Sequence, residues 1–396
     1  MFNRNPRLWT YSLPVALALL APFNILASLG MDIYLPVVPA MPAILGTTPA
    51  TIQLTLTLYM IVLGVGQIVF GPLSDRWGRR PVLLGGGLLF AVTSLALAAT
   101  SSAGVFLALR IAQAAGASAM LVALFATVRD VYAGRPESAV VYSLLSAMLA
   151  CVPAFGPIVG ALIAEEFGWR AIFVALAAPA IAMLFGSLAG WHETRPRNEG
   201  MRTTSFGPML KSLPFWTYTL AFGTAMGAFF VFFSTAPRVL IERAGYSEFG
   251  FSLAFSTVAF AMMITARFAK RFVERWGIAG SAARGMGTMM LSAALLITGE
   301  MLAPPSFLSF ILPMWTMAVG IVFTTSVTAN GALEDFGDMA GTAVALHFCI
   351  QSLVVGFVGT IFVIAFDGAT AWPLAAYATF MATITLLTLR RLRKKA

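Results

Sequence analysis

Twelve apolar runs of about twenty residues, parted by short polar breaks, decide what this chain can become. Each is long enough to cross the roughly 30 Å hydrocarbon core of a bilayer as a helix, and a helix satisfies its own backbone hydrogen bonds there. The runs fall near 12–36, 51–71, 82–100, 104–128, 138–162 and 168–190, then near 213–236, 249–267, 279–301, 307–328, 338–364 and 371–389. The expected fold is an all-α integral membrane protein with twelve transmembrane helices. Composition removes the soluble alternatives, because only 10% of the 396 residues are charged against roughly 25% in a soluble domain. The N-terminus, basic and then apolar, imitates a signal peptide. Pro14, Pro22 and Asp32 interrupt it without a small-residue cleavage site, so the first helix reads as retained.

A net charge of +9 would also suit a nucleic-acid partner, but the positions of the charges argue against one. With the N-terminus in the cytoplasm, twenty of the 25 Lys and Arg residues fall in cytoplasmic segments. They are Arg4, Arg7, Arg76, Arg79, Arg80, Arg129, Arg135, Arg195, Arg197, Arg202, Lys211, Arg267, Lys270, Arg271, Arg275 and the five of the tail, RRLRKK. Three are external, Arg170, Arg238 and Arg243, and Arg110 and Arg284 lie within spans. This bias sets both termini inside and makes anionic lipid headgroups, not nucleic acid, the partner of the basic loops. Cys151 and Cys349 sit in apolar spans, and His192 and His347 are too few and too separated for a metal cluster, so no disulfide framework, metal or other cofactor is expected.

The longest polar interruption runs from Trp191 to Ser212. It divides the chain into an N-terminal six-helix half (1–190), a cytoplasmic central loop (191–212) and a C-terminal six-helix half (213–396). An internal repeat supports the division. GPLSDRWGRRP at Gly71–Pro81 and RFAKRFVERWGIAG at Arg267–Gly280 share D/E-R-W-G, at Asp75–Gly78 and Glu274–Gly277, in the corresponding loop of each half. Two related halves with a site near mid-membrane are a known plan for secondary transporters.

Ionisable groups inside spans are functional candidates by default. Glu300 and Arg284 lie near interfaces, where snorkelling accounts for them. His347 reads either as a packing residue or as a pocket wall. Asn24, Ser28 and Asp32, four apart, form a polar stripe that must face the bundle interior. There desolvation favours the neutral acid and a nearby cation the carboxylate, so Asp32 can take and release a proton. Arg110 is the cation deep enough to partner it, in proton coupling or as a static pair joining spans one and four. In the Gly71–Pro81 segment, Gly71 and Gly78 permit tight turns, Asp75 receives cations or a helix N-terminus, and Arg76, Arg79 and Arg80 stay at the headgroups; together they read as a cytoplasmic latch. Pro153 and Pro157 bend span five, and Gly156 and Gly160 give it a face for close contact. Tyr59, Met148, Phe229, Phe230, Phe233 and Trp315, with Gln351 as a polar wall, recur where a central cavity is expected, and Met and flat rings suit loosely specified amphipathic ligands. The chain carries no nucleotide-binding motif and no Ser/His/Asp or H-E-x-x-H arrangement, so it does not read as an enzyme.

The twelve-span layout, the long central loop and the latch segment resemble the major facilitator superfamily. MDIYLPVVPAMP (Met31–Pro42) is similar to its drug:proton antiporter branch of the bicyclomycin- and chloramphenicol-resistance type. IQLTLTLYMIVLGVGQIVFGPLSDRWGRRPVLLGGG, GASAMLVALFATVRDVYAGRPES and FFVFFSTAP resemble the bacterial exporters of chloramphenicol and florfenicol. The resemblance covers essentially the whole chain. It implies the major facilitator fold of two pseudo-symmetric halves and a monomer in the bacterial inner membrane. The implied activity is proton-driven export of amphenicol antibiotics by alternating access, with Asn24, Asp32, Tyr59 and the Met/Phe walls contacting drug. LALRIAQAAGASA (Leu107–Ala119) matches the superfamily's span-four motif, with Arg110 as its basic residue and Ala114 where a glycine is expected. AFGPIVGA matches the antiporter motif, with Ala161 where a second glycine often stands. Asn24 departs further, standing where these exporters carry an acid; either Asp32 alone carries the proton, or this chain is a variant with impaired coupling. Export of other small amphipathic drugs, solute import or symport on the same fold, and a non-transporting sensor are the alternatives.

Overall fold

The computed structural model describes residues 9, 11–132, 135, 137–195, 205–336 and 339–395, without the side chains of 139, 340, 394 and 395. Arg4, Arg7, Arg197 and Arg202 of the charge count, the side chains of the last two tail lysines, and the middle of the expected central loop lie outside the described residues. Among those described there are twelve helices long and apolar enough to cross a membrane, and no strand. They are α1 (Leu13–Val37), α2 (Pro49–Trp77), α3 (Arg79–Ala99), α4 (Ala103–Tyr132), α5 (Val140–Phe167), α6 (Trp169–Gly190), α7 (Leu213–Arg243), α8 (Glu248–Arg267), α9 (Ala269–Leu302), α10 (Phe307–Leu333), α11 (Gly341–Ala365) and α12 (Trp372–Arg393). Local chemistry marks several starts. Ser212 and Ser247 accept from the backbone N–H groups of Phe215 and Gly250 at α7 and α8, and Ser306 and Ser309 cap each other's backbone ahead of α10.

The segment expected to be a loop at Gly71–Pro81 is almost entirely helix. α2 continues to Trp77, α3 begins at Arg79, and Gly78 alone breaks the path with φ +110°. The other copy of the repeat is the same, with Gly277 at φ +66° inside an otherwise helical stretch. A side chain at either position would strain the backbone. The shared glycine of D/E-R-W-G is thus a hinge between two helices. Gly71, by contrast, is an ordinary helical position with open space around it, so it makes neither a turn nor a close approach.

The described residues cluster into two compact units, one within Met1–Tyr34 and Val65–Thr203, the other within Leu35–Gly64 and Thr204–Ala396. In the first, α3 packs on α4 and α6, and α1 packs on α4, α5 and α6. In the second, α9 packs on α10 and α12, and α7 packs on α10, α11 and α12. The second set is the first with six added to every label, which is how a duplicated core packs. A close glycine crossing is duplicated too. A Cβ on Gly86 of α3 would stand 2.8 Å from the carbonyl oxygen of Gly116 on α4, and one on Gly285 of α9 would stand 2.7 Å from that of Gly320 on α10. Gly86 and Gly285 are separated by the same offset as the two hinge glycines.

The first portion of α2 belongs to the second unit, and its packing explains why. Gln53 Nε2 donates to Ser234 Oγ of α7 at 3.0 Å, and the hydroxyls of Thr57 and Thr360 of α11 are 2.5 Å apart. Farther along, a Cβ on Gly356 would strike Ile61, and one on Gly64 would strike Ser352. Thr57, Ile61 and Gly64 lie on one face of α2, and Thr360, Gly356 and Ser352 on one face of α11, so the two run antiparallel along a seam of small residues. Such faces let helix backbones approach closely in a membrane.

Candidate functional site

In the first unit, Asp32 is 6% exposed near the end of α1, and its Oδ2 accepts from Ser28 Oγ at 3.3 Å. Its seat is made by α5. A Cβ on Gly156 would stand 3.0 Å from that of Asp32, and Gly160 faces the carbonyl of Ile33 too closely for any side chain. Pro153 and Pro157 lie in this helix, so the motif that the sequence offers as a bending device also places α1 at its acid. Arg110 is fully buried on α4. Its Nη1 donates to Gly30 O at 2.7 Å and to Gln113 Oε1 at 2.6 Å, and the guanidinium lies over the Tyr34 ring. Arg110 thus binds the backbone of α1 two residues before Asp32.

Asn24, also on α1, is fully buried; its Nδ2 donates to Leu145 O of α5 at 2.9 Å, while Oδ1 has no partner among the described residues. Met148, one turn beyond Leu145, is half-buried.

The Gly78 hinge is a charged knot. Arg79 was expected at the headgroups, but it is 2% exposed. Its Nε donates to Asp130 Oδ2 at 2.8 Å, and its Nη1 reaches Asp75 and, at 3.2 Å, Ser74 Oγ. Glu193, just past α6, accepts the N–H groups of Arg79 (2.9 Å) and Arg80 (3.2 Å) and so closes the start of α3, where a carboxylate also suits the helix dipole. Arg80 donates to Leu188 O at 2.7 Å, and the exposed Arg76 offers its carbonyl to Arg195 at 2.6 Å. A Cβ on Gly78 would collide with the Glu193 carboxylate. Sequence reasoning missed Ser74, Asp130 and Glu193. Their one signal was that a buried arginine needs carboxylates, and this stays silent until burial is known. Removing one partner of a buried pair costs about 3–5 kcal/mol. Asp130→Ala is therefore expected to lower the melting temperature of the solubilised protein markedly. Arg79→Lys is expected to recover little of what Arg79→Ala loses, because an ammonium cannot reproduce the three-acceptor fork.

The second copy of the hinge is plainer. Ile278 and Ala279 stand where Arg79 and Arg80 stand, Glu274 pairs with exposed Lys270 at 3.8 Å, and Arg284 lies over the Trp276 ring at 4.7 Å.

In the second unit the proposed cavity walls separate. Phe229 and Phe233 pack against Phe255 of α8, whereas Phe230 turns to Gly359 of α11. Phe255, stacked on Phe232 with centroids 5.0 Å apart, is the hub that the sequence did not single out. Trp315 is 36% exposed, with Nε1 donating to Thr257 Oγ1 at 3.0 Å and Phe307 as its ring neighbour; it is not part of the Phe255 cluster. Tyr59 is buried on α2. His347 and Gln351, one turn apart on α11, are both buried. His347 Nδ1 shares a hydrogen bond with Thr219 of α7 at 2.9 Å, its ring meets Phe222 and Phe348, and Nε2 has no partner among the described residues. Glu300 is tied by bonds to Arg243 and the N–H of Ala371 (3.1 Å). No group of three or more His, Cys, Asp or Glu able to hold a metal occurs among the described residues.

Twelve apolar helices in two units of one packing pattern, with a carboxylate and an arginine buried among the spans, define a multi-pass membrane transporter. The chain belongs to the major facilitator superfamily, whose family model matches residues 20–360; it is a transporter, not an enzyme. It is 52% identical over 379 residues to a chloramphenicol resistance protein of Pseudomonas aeruginosa, covering 96% of this chain and 90% of that one. An uncharacterized MFS-type transporter of Bacillus subtilis, YdgK, is 31% identical over 391 residues, 95% of each chain. A bicyclomycin resistance protein homolog of Haemophilus influenzae is 27% identical over 358 residues, covering 87% of this chain and 86% of that one. The crystal structure of a POT family transporter in complex with 5-aminolevulinic acid matches with a TM-score of 0.74 at 14% identity, covering 98% of this chain and 97% of the other. That last likeness is one of fold alone.

Proposed function

We propose that this chain exports amphenicol antibiotics, chloramphenicol and florfenicol, in exchange for protons, working by alternating access as a monomer in a bacterial inner membrane. The observation that carries the reading is the 52% identity over 96% of the chain to a protein named for chloramphenicol resistance. The buried acid supports the proton half of it. Asp32 carries the proton, Gly156 and Gly160 hold it in place, and Arg110 positions its helix through Gly30. Nε2 of His347, without a partner among the described residues, offers drug a hydrogen bond in the second unit. The lysine and arginine bias supports cytoplasmic termini, and the D/E-R-W-G repeat supports the halves 1–190 and 213–396 joined by the loop 191–212. The coupling is thermodynamic, since proton and drug favour different states. The bicyclomycin resistance relative favours a second, broader reading, export of other small amphipathic drugs.

The test is accumulation of radiolabelled chloramphenicol and florfenicol in cells expressing the chain. Accumulation below empty vector, restored by a protonophore, is expected. No lowering for either drug overturns the amphenicol reading.

A further inference from the structure

At the Arg238 end of the second unit a cavity of about 240 Å³ opens directly onto the first hydrogen bond of the α2–α11 seam. Its floor includes Gln53 and Ser234, both buried and bonded to each other. Pro42, Ile52 and Phe366 give it apolar walls. Arg238, Glu242 and Asp367 give it charge, the guanidinium standing 3.4 Å from one carboxylate and 3.6 Å from the other. The balance of that charge is informative. One cation serves two carboxylates, and the nearby Arg243 is already engaged by Glu300. Glu242 and Asp367 keep open acceptor positions, because a carboxylate takes several donors. A mouth with apolar walls and unspent negative charge selects an apolar body bearing a cationic, donor-rich head.

We propose that this pocket, built wholly from residues of the second unit, is a further ligand site for small amphipathic organic cations of the arylalkylammonium type. The ring lies against Pro42, Ile52 and Phe366, and the ammonium is shared by Glu242 and Asp367. The walls come from the segment leading into α2, from the end of α7 and from the turn after α11, so one ligand touches all three elements at the head of the seam. Occupancy therefore braces the seam.

The probes are phenethylammonium and its uncharged counterpart 2-phenylethanol, titrated calorimetrically into the purified full-length protein. The amine is expected to bind at least about tenfold more tightly than the alcohol. The double variant Glu242→Gln/Asp367→Asn is expected to weaken the amine about tenfold, two partly exposed ionic contacts being lost, and to leave the alcohol unchanged. Asparagine keeps the acceptor that Asp367 offers to Ala369 N–H at 3.0 Å. Ala50→Trp, which fills the pocket from its lining, is expected to abolish binding of both and guards against a misfolded double variant. Equal affinity for the two probes, or undiminished amine binding in both variants, overturns the proposal. Neither outcome touches the export reading, since no drug flux is measured.

Discussion

Oxidising a Thr57→Cys/Thr360→Cys variant is expected to reduce drug efflux to the level of empty vector, and a reductant is expected to restore it. The two hydroxyls are 2.5 Å apart, so sulfurs in their places lie within reach of a disulfide. The background needs Cys151 and Cys349 replaced, because both are free thiols. The effect is large because of where α2 stands. One continuous helix has its first portion in the second unit, against α7 and α11, and the rest in the first unit. In the proposed alternating-access cycle one of those attachments must release, and the seam of Thr57, Ile61 and Gly64 against Thr360, Gly356 and Ser352, in which Ile61 is the one large side chain, is the one that this pair of cysteines locks. Efflux that persists after complete cross-linking, verified by the mobility shift of a cleavable chain, removes the seam from the cycle.

Asp32→Asn is expected to abolish protonophore-sensitive efflux, a loss of at least about tenfold, since among the described residues no other carboxylate lies deep within a span. Asn24→Asp is the informative companion. Asn24 donates to Leu145 O, which a protonated acid also does and a carboxylate cannot. The asparagine thus holds permanently the hydrogen-bonding pattern of a protonated aspartate. Asn24→Asp is expected to preserve the fold while the acid is neutral and to lose stability as pH rises and the carboxylate turns toward a carbonyl oxygen. Melting temperature against pH reads this directly: a profile parallel to that of the original chain refutes it. Efflux by Asn24→Asp that is both retained and more steeply pH-dependent would show a second proton site working beside Asp32. If Asp32→Asn exports as well as the original chain, Asp32 is not the proton carrier.

Much of the architecture was legible because a bilayer asks simple questions. Apolar length located all twelve spans, and the doubled D/E-R-W-G pointed to two related segments, though not to their being helices broken only at Gly78 and Gly277, where glycine alone tolerates the backbone. What remained hidden was pairing at a distance. Arg79 looks like any headgroup arginine until Asp130 arrives from α4 and Glu193 from the segment after α6. Gly86 and Gly116 look like incidental small residues in apolar runs until their helices cross. Phenylalanines 229, 230 and 233 share one helix yet face different neighbours, and one-dimensional spacing could not assign them to a cavity or to a core. The pocket beside Arg238 gave no signal either, because its walls lie far apart in the chain.

The seam also bears on how the protein is made. Gln53 bonds a residue 181 positions later, and Thr57 one 303 positions later. At about 5–20 residues per second of synthesis, α2 enters the bilayer roughly 10–60 s before either partner exists. During that interval its amide and hydroxyl groups have only lipid, their own backbone or borrowed companions to face. The newborn first half is thus obliged to wait with an unfinished polar face in the membrane, and insertion chaperones and membrane proteases have that long to find it.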